Sequence, residues 1–465
     1  MIAAALIAAA HRRPNLREAV SLVAAAATFL SILPFMDAVL AGERPRLVLG
    51  EMMPGLALVF ELEPLGLLFA LIASGLWLVS GVYSIGYMRG NGEEHQTRFY
   101  VCFALAIASA IGVALAGNLL TLYLFYEALT LITWPLVTHH GDAEAQRGGR
   151  IYLGLLLASS LLFLLPAIAL TWWVSGTLDF RPGGILAGEV SGGAAAGLLA
   201  LYAFGIGKAA LMPIHRWLPA AMVAPTPVSA LLHAVAVVKA GVFSIVKVVV
   251  YVFGPGFDAP AFAWLPWVAG FTIVAASIVA LRADNLKRRL AYSTVSQLSY
   301  VVLAAAVLTP LSLAGAMLHI AAHALGKITL FFAAGAVYTA AHKTEVSQLD
   351  GVGRRMPWTF AAFAVGALSM IGLPPAAGFI SKWYIVSGAL AAEHWVALAV
   401  ITASTLLNAG YFLPIVYRAF FNEAEGEDHG EAPWTMVAAL VATAALTVAM
   451  FFWADVPLAL ARRIA

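Results

Sequence analysis

The sequence predicts an all-α protein that crosses a membrane many times. Of its 465 residues, 62% are hydrophobic and only 11% are charged, whereas soluble domains contain about 25% charged residues. Apolar runs of about twenty residues, the length that crosses a hydrocarbon core of about 30 Å, recur along the whole chain. The composition therefore excludes a soluble enzyme that is held by a single membrane anchor.

The apolar runs follow one another from one end of the chain to the other. They lie at residues 19–40, 64–88, 99–117, 119–138, 151–175, 196–212, 226–253, 262–281, 292–309, 312–340, 358–373, 376–391, 395–421 and 434–453. We count 358–373 and 376–391 as two parts of one broken helix, because Pro374 and Pro375 separate them. Residues 1–10 are apolar but too short to cross, and basic residues follow them instead of preceding them as in a signal peptide. We interpret this segment as the remainder of a first transmembrane helix, which gives about fourteen in total.

Lysine and arginine are unevenly distributed between the two sets of alternate loops. One set contains sixteen of these residues and the other contains five. Because cytoplasmic loops carry an excess of basic residues, the first set is predicted to be cytoplasmic. An even number of helices then places both termini on the outer face of a bacterial inner (cell) membrane.

Two of the runs are interrupted by glycine and proline. Residues 207–213 form one interruption and residues 372–378 form the other, and Lys208 and Lys382 lie at or near them. Irregular backbone at membrane depth is tolerated only where protein or water satisfies its polar groups. Broken helices in two halves of a chain indicate a transport site built from an inverted repeat. An ordinary proline kink is the alternative for either interruption.

Nine ionisable residues lie inside the apolar runs. A charge at the bilayer centre costs about 2.5–3.5 kcal/mol on insertion scales, so such residues usually line ion or proton paths. They are Glu127, Lys208, His233, Lys239, Lys247, His319, His323, Lys327 and Lys382. The row indicates a protein that moves protons or cations through the membrane.

Glu127 lies halfway along its run, and the sequence offers Lys208 as its partner. A buried glutamate either stays protonated or pairs with a cation. A movable Glu127–Lys208 pair would act as a proton valve, because approach of the carboxylate favours the charged lysine and separation disfavours it. A static structural ion pair is the alternative.

His233, Lys239 and Lys247 are predicted to share one helix. The separation of six positions between His233 and Lys239 places them about 120° apart, so they do not share a face. His233 is either part of the path or a hydrogen-bonded core histidine. Lys247 lies about 12 Å further along, and we expect it to extend to the membrane interface.

His319, His323 and Lys327 follow an i, i+4, i+8 spacing and form a stripe along one helix face. Histidine titrates near neutral pH, so the stripe is a plausible proton wire. The two histidines also have the spacing of a metal pair, but no carboxylate or cysteine nearby completes a site. Lys382 has no acidic neighbour in sequence, which suits a residue that exchanges its proton with water or a partner.

Polar side chains cluster at the start of the run 292–309. They are Ser293, Thr294, Ser296, Gln297, Ser299 and Tyr300. Such groups either order water between ionisable sites or join helices by hydrogen bonds.

The sequence predicts no cofactor and no metal. The single cysteine, Cys102, allows neither an intrachain disulfide nor an iron–sulfur cluster. Neither the dinucleotide-binding nor the phosphate-binding glycine motif is present.

Four segments together resemble the antiporter-like membrane subunits of respiratory complex I and of Mrp-type multisubunit sodium/proton antiporters. They are GKAALMPIHRWLP at 207–219, APTPVSALLH at 224–233 with Lys239, KRRLAYSTVSQ at 287–297 and GLPPAAGFISK at 372–382. With the His319–Lys327 helix, the resemblance covers roughly residues 100–420. It implies two inverted five-helix repeats, each with a broken helix.

The resemblance also implies roles for individual residues. Glu127 matches the fifth-helix glutamate and Lys208 the broken-helix lysine. Lys239, His323 and Lys327 match the connecting residues, and Lys382 matches the terminal one. The expected division is N-terminal helices at 1–98, half-channels at 99–253 and 262–421, and a C-terminal helix at 434–465.

Length and ending are most similar to an Mrp D-type subunit, which implies a proton-translocating subunit that works with other membrane subunits, with protons and with Na⁺. The lysine at position 382 argues against one complex I branch, which has glutamate there. The alternatives are a proton-pumping subunit of a quinone reductase, hydrogenase or formate complex, and an energising subunit of an inorganic-carbon uptake complex. A structural subunit without transport is the rival from another class.

Overall fold

The computed structural model describes residues 1–53, 55–257, 259–424 and 429–464. About 77% of the chain is helical, and the described residues include ten helices that are long and apolar enough to cross a membrane. The prediction of a mostly helical, multiply spanning membrane protein is therefore confirmed. The prediction that every element is helical is wrong, because the chain also forms one β-hairpin.

The elements lie close to the apolar runs, and the differences are at the breaks and the hairpin. In the first part of the chain they are α1 Ile2–Ala9, α2 Pro14–Ile32, α3 Phe35–Ala41, β1 Arg46–Met53, β2 Leu56–Glu61, α4 Pro64–Gly90, α5 Gln96–Ala114, α6 Leu119–Val137, α7 Ala143–Ser159, α8 Leu165–Ser175, α9 Gly192–Gly205, α10 Trp217–Ala220, α11 Thr226–Ala230 and α12 Val237–Val248. In the second part they are α13 Ala259–Phe262, α14 Leu265–Arg282, α15 Leu286–Ala306, α16 Pro310–Ala341, α17 Val352–Arg355, α18 Pro357–Ile371, α19 Ala377–Ala391, α20 Trp395–Phe421, α21 Trp434–Phe452 and α22 Asp455–Arg462.

The two predicted interruptions are present as backbone breaks. Helix α9 ends at Gly205, a short 3₁₀ turn covers Gly207–Ala209, and Ala210 adopts a left-handed φ of 56°. Helix α18 ends at Ile371, where Gly372 has a φ of +88°, a conformation that glycine adopts without a side-chain clash. Both helices that precede a break are short, with 14 and 15 residues.

Three π-helical turns interrupt the remaining helices. One joins α7 to α8 at Ser160–Leu164, and two flank α12 at Leu231–Val235 and Val249–Phe253. Single π turns inside α-helices frequently mark functional sites. Two of the three lie on the helical segment that carries His233 and Lys239.

The β-hairpin lies on one face of the helix bundle. Its strands are antiparallel, with Arg46 opposite Glu61. Glu61 donates its backbone N–H to the carbonyl of Leu115 at 2.7 Å, and Leu186 donates to Val252 at 2.9 Å. The first bond joins the hairpin to the end of α5, and the second joins the loop after α8 to the π-helical turn after α12. The ion pair between Arg46 and Asp179 joins the hairpin to the loop after α8. We call this side the hairpin face.

The loops that follow α14 and α16 and the end of α20 meet on the opposite side of the bundle. Leu286 donates its backbone N–H to Thr344 at 2.9 Å, and Arg418 forms an ion pair with Asp350 at 2.7 Å. The predicted sorting of alternate loops onto two faces thus agrees with the loop contacts. Which face is cytoplasmic stays a prediction.

The most central helices are those that carry the ionisable residues. In the span Thr226–Phe253 the most apolar window is completely buried, and in α16 94% of it is buried. In the span Ala143–Ser175 only 33% is buried. A shell of lipid-facing helices therefore surrounds a core that holds α12 and α16.

Candidate functional site

Lys208 lies in the first break and is completely buried. Its Nζ donates to the carbonyl of Tyr126 at 2.8 Å and to Oγ1 of Thr130 at 2.5 Å, and it lies 3.2 Å from the centre of the Tyr126 ring. The break frees backbone groups that a continuous helix would bond internally, and the Lys208 N–H accordingly donates to the Tyr126 hydroxyl at 3.0 Å. Helix α6 thus fixes both the backbone and the amine of Lys208.

Glu127 is on the same helix as these partners but does not bond Lys208 directly. Neither of its carboxylate oxygens has a hydrogen-bond partner among the described residues. The expected close Glu127–Lys208 pair is therefore not formed in this structure, and the neighbouring Tyr126 and Thr130 take its place. The sequence carries little sign of this arrangement, because a backbone carbonyl is present at every helical position and threonine is common in apolar helices.

Lys239 bonds directly to a histidine of the second half. Its Nζ shares a short hydrogen bond with Nδ1 of His323, and both side chains are buried. Helix α12 also packs tightly on the first break, since Gly241 touches the backbone of Lys208 and Ala209. Helix α12 is therefore in direct contact with both the first break and α16.

His233 lies in a π-helical turn and is completely buried. Both of its ring nitrogens lack a hydrogen-bond partner among the described residues, and its ring lies 4.8 Å from that of Phe331. Buried polar atoms without partners are uncommon in native proteins. The alternative of a hydrogen-bonded core histidine does not fit this geometry.

His319 joins α16 to α15 and α19. Its Nδ1 shares a hydrogen bond with Oγ of Ser381 at 2.9 Å, and its Nε2 shares one with Oε1 of Gln297 at 3.1 Å. The His319 and His323 rings are 6.2 Å apart, and Nε2 of His323 has no partner among the described residues. The stripe therefore runs along α16, but its members have different partners: His319 bonds α15 and α19, His323 bonds α12, and Lys327 bonds α15.

Lys327 points away from the two histidines toward α15 and α20. Its Nζ donates to Oγ of Ser293 at 2.8 Å, and this hydroxyl also shares a hydrogen bond with the Tyr411 hydroxyl at 3.0 Å. Tyr411 in turn donates to Asn408 through a short bond. Sequence reasoning missed Tyr411 and Asn408, although they are among the few polar residues of the run 395–421.

Lys382 reaches back across the second break. Its Nζ donates to the carbonyls of Met370 at 3.1 Å and Ile371 at 2.9 Å, which are left unpaired where α18 ends. Gln297 donates to the same Met370 carbonyl at 3.3 Å. A cation at a helix C-terminus is favoured by the helix dipole, so the break itself creates the binding site for this lysine.

Lys247 does not extend to the interface, and that prediction is wrong. Its side chain is 1% exposed and its Nζ lies 3.2 Å from a carboxylate oxygen of Glu63, which is similarly buried. Sequence reasoning missed Glu63 because it stands at the edge of an apolar run. Its position before Pro64, at the start of α4, is a signal for a capping acid.

The arrangement can hold and pass protons. Amines and imidazoles exchange protons through hydrogen bonds, and here they are buried where the first break, α12, α16 and α19 pack together. The described residues contain no group of three or more His, Cys, Asp or Glu side chains that could hold a metal ion. Of the polar residues of 292–309, Ser293 and Gln297 bond ionisable groups and Ser296 joins α15 to Ser277 of α14. The ordering of water between the ionisable groups stays a prediction.

Known proteins share both the sequence and the fold. NADH-quinone oxidoreductase subunit N of Desulforudis audaxviator is 34% identical over 388 residues, which cover 83% of this chain and 77% of that protein. Hydrogenase-4 component B of Escherichia coli is 31% identical, and the match covers 84% of this chain but only 62% of that longer protein. The D-type subunit of the Na⁺/H⁺ antiporter of Alkalihalophilus pseudofirmus is 27% identical, with 78% of this chain and 74% of that protein covered.

The fold matches a chain in the solved structure of the Mrp complex from Dietzia sp. with a TM-score of 0.89 at 21% sequence identity. The match covers 100% of this chain and 94% of that one. Residues 116–408 match the family described as NADH:quinone oxidoreductase/Mrp antiporter, TM. These residues contain both breaks and all of the buried lysines, so the chain belongs to the family of antiporter-like membrane subunits.

Proposed function

We propose that this chain is the proton-translocating, D-type subunit of a multisubunit Na⁺/H⁺ antiporter in a bacterial membrane. One observation carries the proposal: a nearly continuous series of polar contacts joins Lys239 to Lys382. It passes from Lys239 to His323, across 6.2 Å between ring centres to His319, and through Gln297 and the Met370 carbonyl to Lys382. A structural subunit without transport activity does not need a series of polar contacts of this kind.

Each predicted site residue has a place in the proposed path. Glu127 and Lys208 form the first proton-binding site of the path. In this structure they do not bond each other, which corresponds to the separated state of the movable pair. His233 and Lys239 form the second, with the two unpartnered nitrogens of His233 available to take up or release a proton. The stripe His319, His323 and Lys327 connects the halves, and Lys382 is the terminal site.

The proposal includes an arrangement of fourteen transmembrane helices in two inverted five-helix repeats. The half-channels are 99–253 and 262–421, with 1–98 and 434–465 as flanking helices. The two short helices before the two breaks, and a lysine bonded at each break, support this internal symmetry. The excess of basic residues in one set of loops supports a hairpin face that points outward, with both termini on that side.

A second candidate is a proton-pumping subunit of a redox-driven membrane complex. The 34% identity to NADH-quinone oxidoreductase subunit N and the 31% identity to hydrogenase-4 component B favour it over an inorganic-carbon uptake complex or a purely structural subunit. In both cases we expect this chain to function with other membrane subunits. The two candidates differ in the source of energy and share the path.

Purification of the tagged chain from its native membrane separates the two candidates. Co-purifying subunits are identified by mass spectrometry, and proton flux is measured in vesicles with either a Na⁺ gradient or a reduced electron donor. Flux that follows Na⁺ supports the antiporter, whereas flux that requires the donor supports the redox complex.

The same vesicles test the path. We expect Lys208→Ala to abolish flux, because the chain offers no other buried amine at the first break among its described residues. Arg150→Ala, at an exposed position on α7, is the control and should transport normally. Normal flux in an assembled Lys208→Ala complex would contradict the proposed function.

A further inference from the structure

We call the residues of the proposed path the row: Glu127, Lys208, His233, Lys239, His319, His323, Lys327 and Lys382. A second cluster of buried polar side chains lies between the row and the hairpin face. Its members are Glu63, Lys247 and Tyr251. Nζ of Lys247 donates to Oε1 of Glu63 at 3.2 Å, and the Tyr251 hydroxyl donates to Oε2 at 2.9 Å. Lys247 also donates to the carbonyl of Ala116 at 2.7 Å. The Lys247 and Glu63 side chains are 1% and 2% exposed.

The carboxylate of Glu63 is held in one position by four hydrogen bonds. Besides Lys247 and Tyr251, the backbone N–H groups of Leu65 and Gly66 each donate to it at 2.8 Å. These two N–H groups are unpaired donors at the start of α4, and the helix dipole favours a negative charge there. The site is therefore built for a carboxylate that carries charge.

Charged side chains of increasing exposure connect this cluster to the hairpin face. The guanidinium of Arg44 lies 5.3 Å from the centre of the Tyr251 ring and forms an ion pair with Glu61 at 3.4 Å. Arg46 follows, with its side chain 46% exposed, and pairs with Asp179 at 2.8 Å. The exposure of successive groups thus rises from the buried Lys247 to the surface.

Helix α12 connects the cluster to the row, because it carries both Lys247 and Lys239. Lys247 lies eight residues after Lys239 on this helix, which corresponds to about 12 Å along its axis. Helix α12 lies in the completely buried span Thr226–Phe253. The helix therefore carries one lysine at each end of an enclosed segment between the row and the hairpin face.

We propose that Glu63, Lys247 and Tyr251 form the proton exchange site between the row and the hairpin face, with Glu63 as the proton acceptor. This inference rests on the proposed function. Water between the two lysines of α12 carries a proton from the Lys239 ammonium to the Glu63 carboxylate, so that an N–H bond breaks at Lys239 and an O–H bond forms at Glu63. The Lys247 ammonium, which has lost its counter-charge, releases a proton toward the hairpin face. The Glu63 proton then passes to the Lys247 amine, which restores the ion pair, and no group is oxidised or reduced.

The test uses the whole complex in vesicles with the pH of each face set separately. We expect Glu63→Gln, which keeps the shape of the capping side chain but removes its charge, to lower flux about 100-fold, the scale of losing one positioned proton-transfer group. Tyr251→Phe should shift the dependence of flux on the pH of the hairpin face and leave the dependence on the opposite face unchanged. The other charged groups that face Lys247 are Glu61 and Arg44, and both stay in place.

A double variant separates transport from support of the fold. Removal of one partner leaves an uncompensated buried charge, whereas removal of both does not. We therefore expect Glu63→Gln/Lys247→Met to assemble as the wild type does and to remain inactive. A return of wild-type flux in this double variant would show that the pair only supports the fold, and would overturn the inference.

Two further variants complete the design. Glu18→Gln is the matched control. Glu18 is also a buried carboxylate, and it forms an ion pair with Arg89 at 2.5 Å. It lies outside the row and the cluster. This variant should transport normally. If Lys208→Ala is inactive while Glu63→Gln transports normally, this inference fails and the proposed function stands. If Lys208→Ala also transports normally, the proposed function itself fails.

Discussion

Gly241 is the point at which α12 touches the first break, and substitution by alanine tests whether this contact sets the geometry of the row. A Cβ atom at this position would lie 2.3 Å from the backbone nitrogen of Ala209 and 2.3 Å from the carbonyl carbon of Lys208. Both are backbone atoms, which do not rotate away. The two segments must therefore separate by about 1 Å, and overpacking of this kind costs about 1–3 kcal/mol.

The expected effect on transport is larger than the effect on stability. Lys208 and Lys239 lie on the two segments that would move apart, and a displacement of about 1 Å in a proton-transfer geometry lowers rates about 100-fold. We expect Gly241→Ala to assemble and to show this loss of proton flux in vesicles. Assembly is checked by size-exclusion chromatography of the purified complex.

Gly154→Ala on α7 is the matched control. No atom lies within 4 Å of a Cβ built there, and a glycine-to-alanine change inside a helix stabilises it by about 0.5–1 kcal/mol. This variant should transport like the wild type. Wild-type flux in Gly241→Ala as well would refute the reasoning, because it would show that the spacing between the break and α12 does not matter.

Three further predictions address other parts of the molecule. Lys382→Glu should retain part of the proton flux while Lys382→Arg should not, because arginine stays protonated; full activity of the arginine variant would mean that a fixed charge suffices. The double variant His319→Ala/His323→Ala should lose little more flux than the worse single variant, because a series path is broken only once; multiplied losses would indicate separate packing roles. The Glu93 carboxylate hydrogen-bonds His140 and raises its pKa, so the stabilisation is complete below about pH 6.5 and is lost as pH rises through the raised pKa. His140→Asn should remove this part of the pH dependence of thermal unfolding, and an unchanged profile would argue against it.

The features that can be predicted from the sequence are those encoded locally. Proline and glycine inside an apolar run mark a backbone break wherever the helix packs, so both interruptions are evident from the residues alone. The stripe on α16 follows from helix periodicity. The buried state of these residues follows from the cost of placing charge against lipid.

The features that sequence reasoning missed depend on contacts between distant segments. Glu63 and Lys247 are 184 positions apart, and nothing in either segment indicates the other. The β-hairpin precedes α4 in a stretch that is too polar for a span, and its pairing to the loop after α5 is visible only in three dimensions. A closer carbonyl and hydroxyl on α6 replace the predicted Glu127–Lys208 bond, and this depends on side-chain direction, which periodicity does not resolve.

Helix α16 couples the two halves of the chain mechanically. Its 32 residues form one unbroken rod, about 48 Å long, that bonds Lys239 through His323 and Ser293 through Lys327. Any axial shift of this helix changes both contacts at once, so protonation at Lys239 and protonation at Lys327 are thermodynamically linked. Linkage is reciprocal: if protonation in the first half alters proton affinity in the second by some factor, protonation in the second alters the first by that same factor.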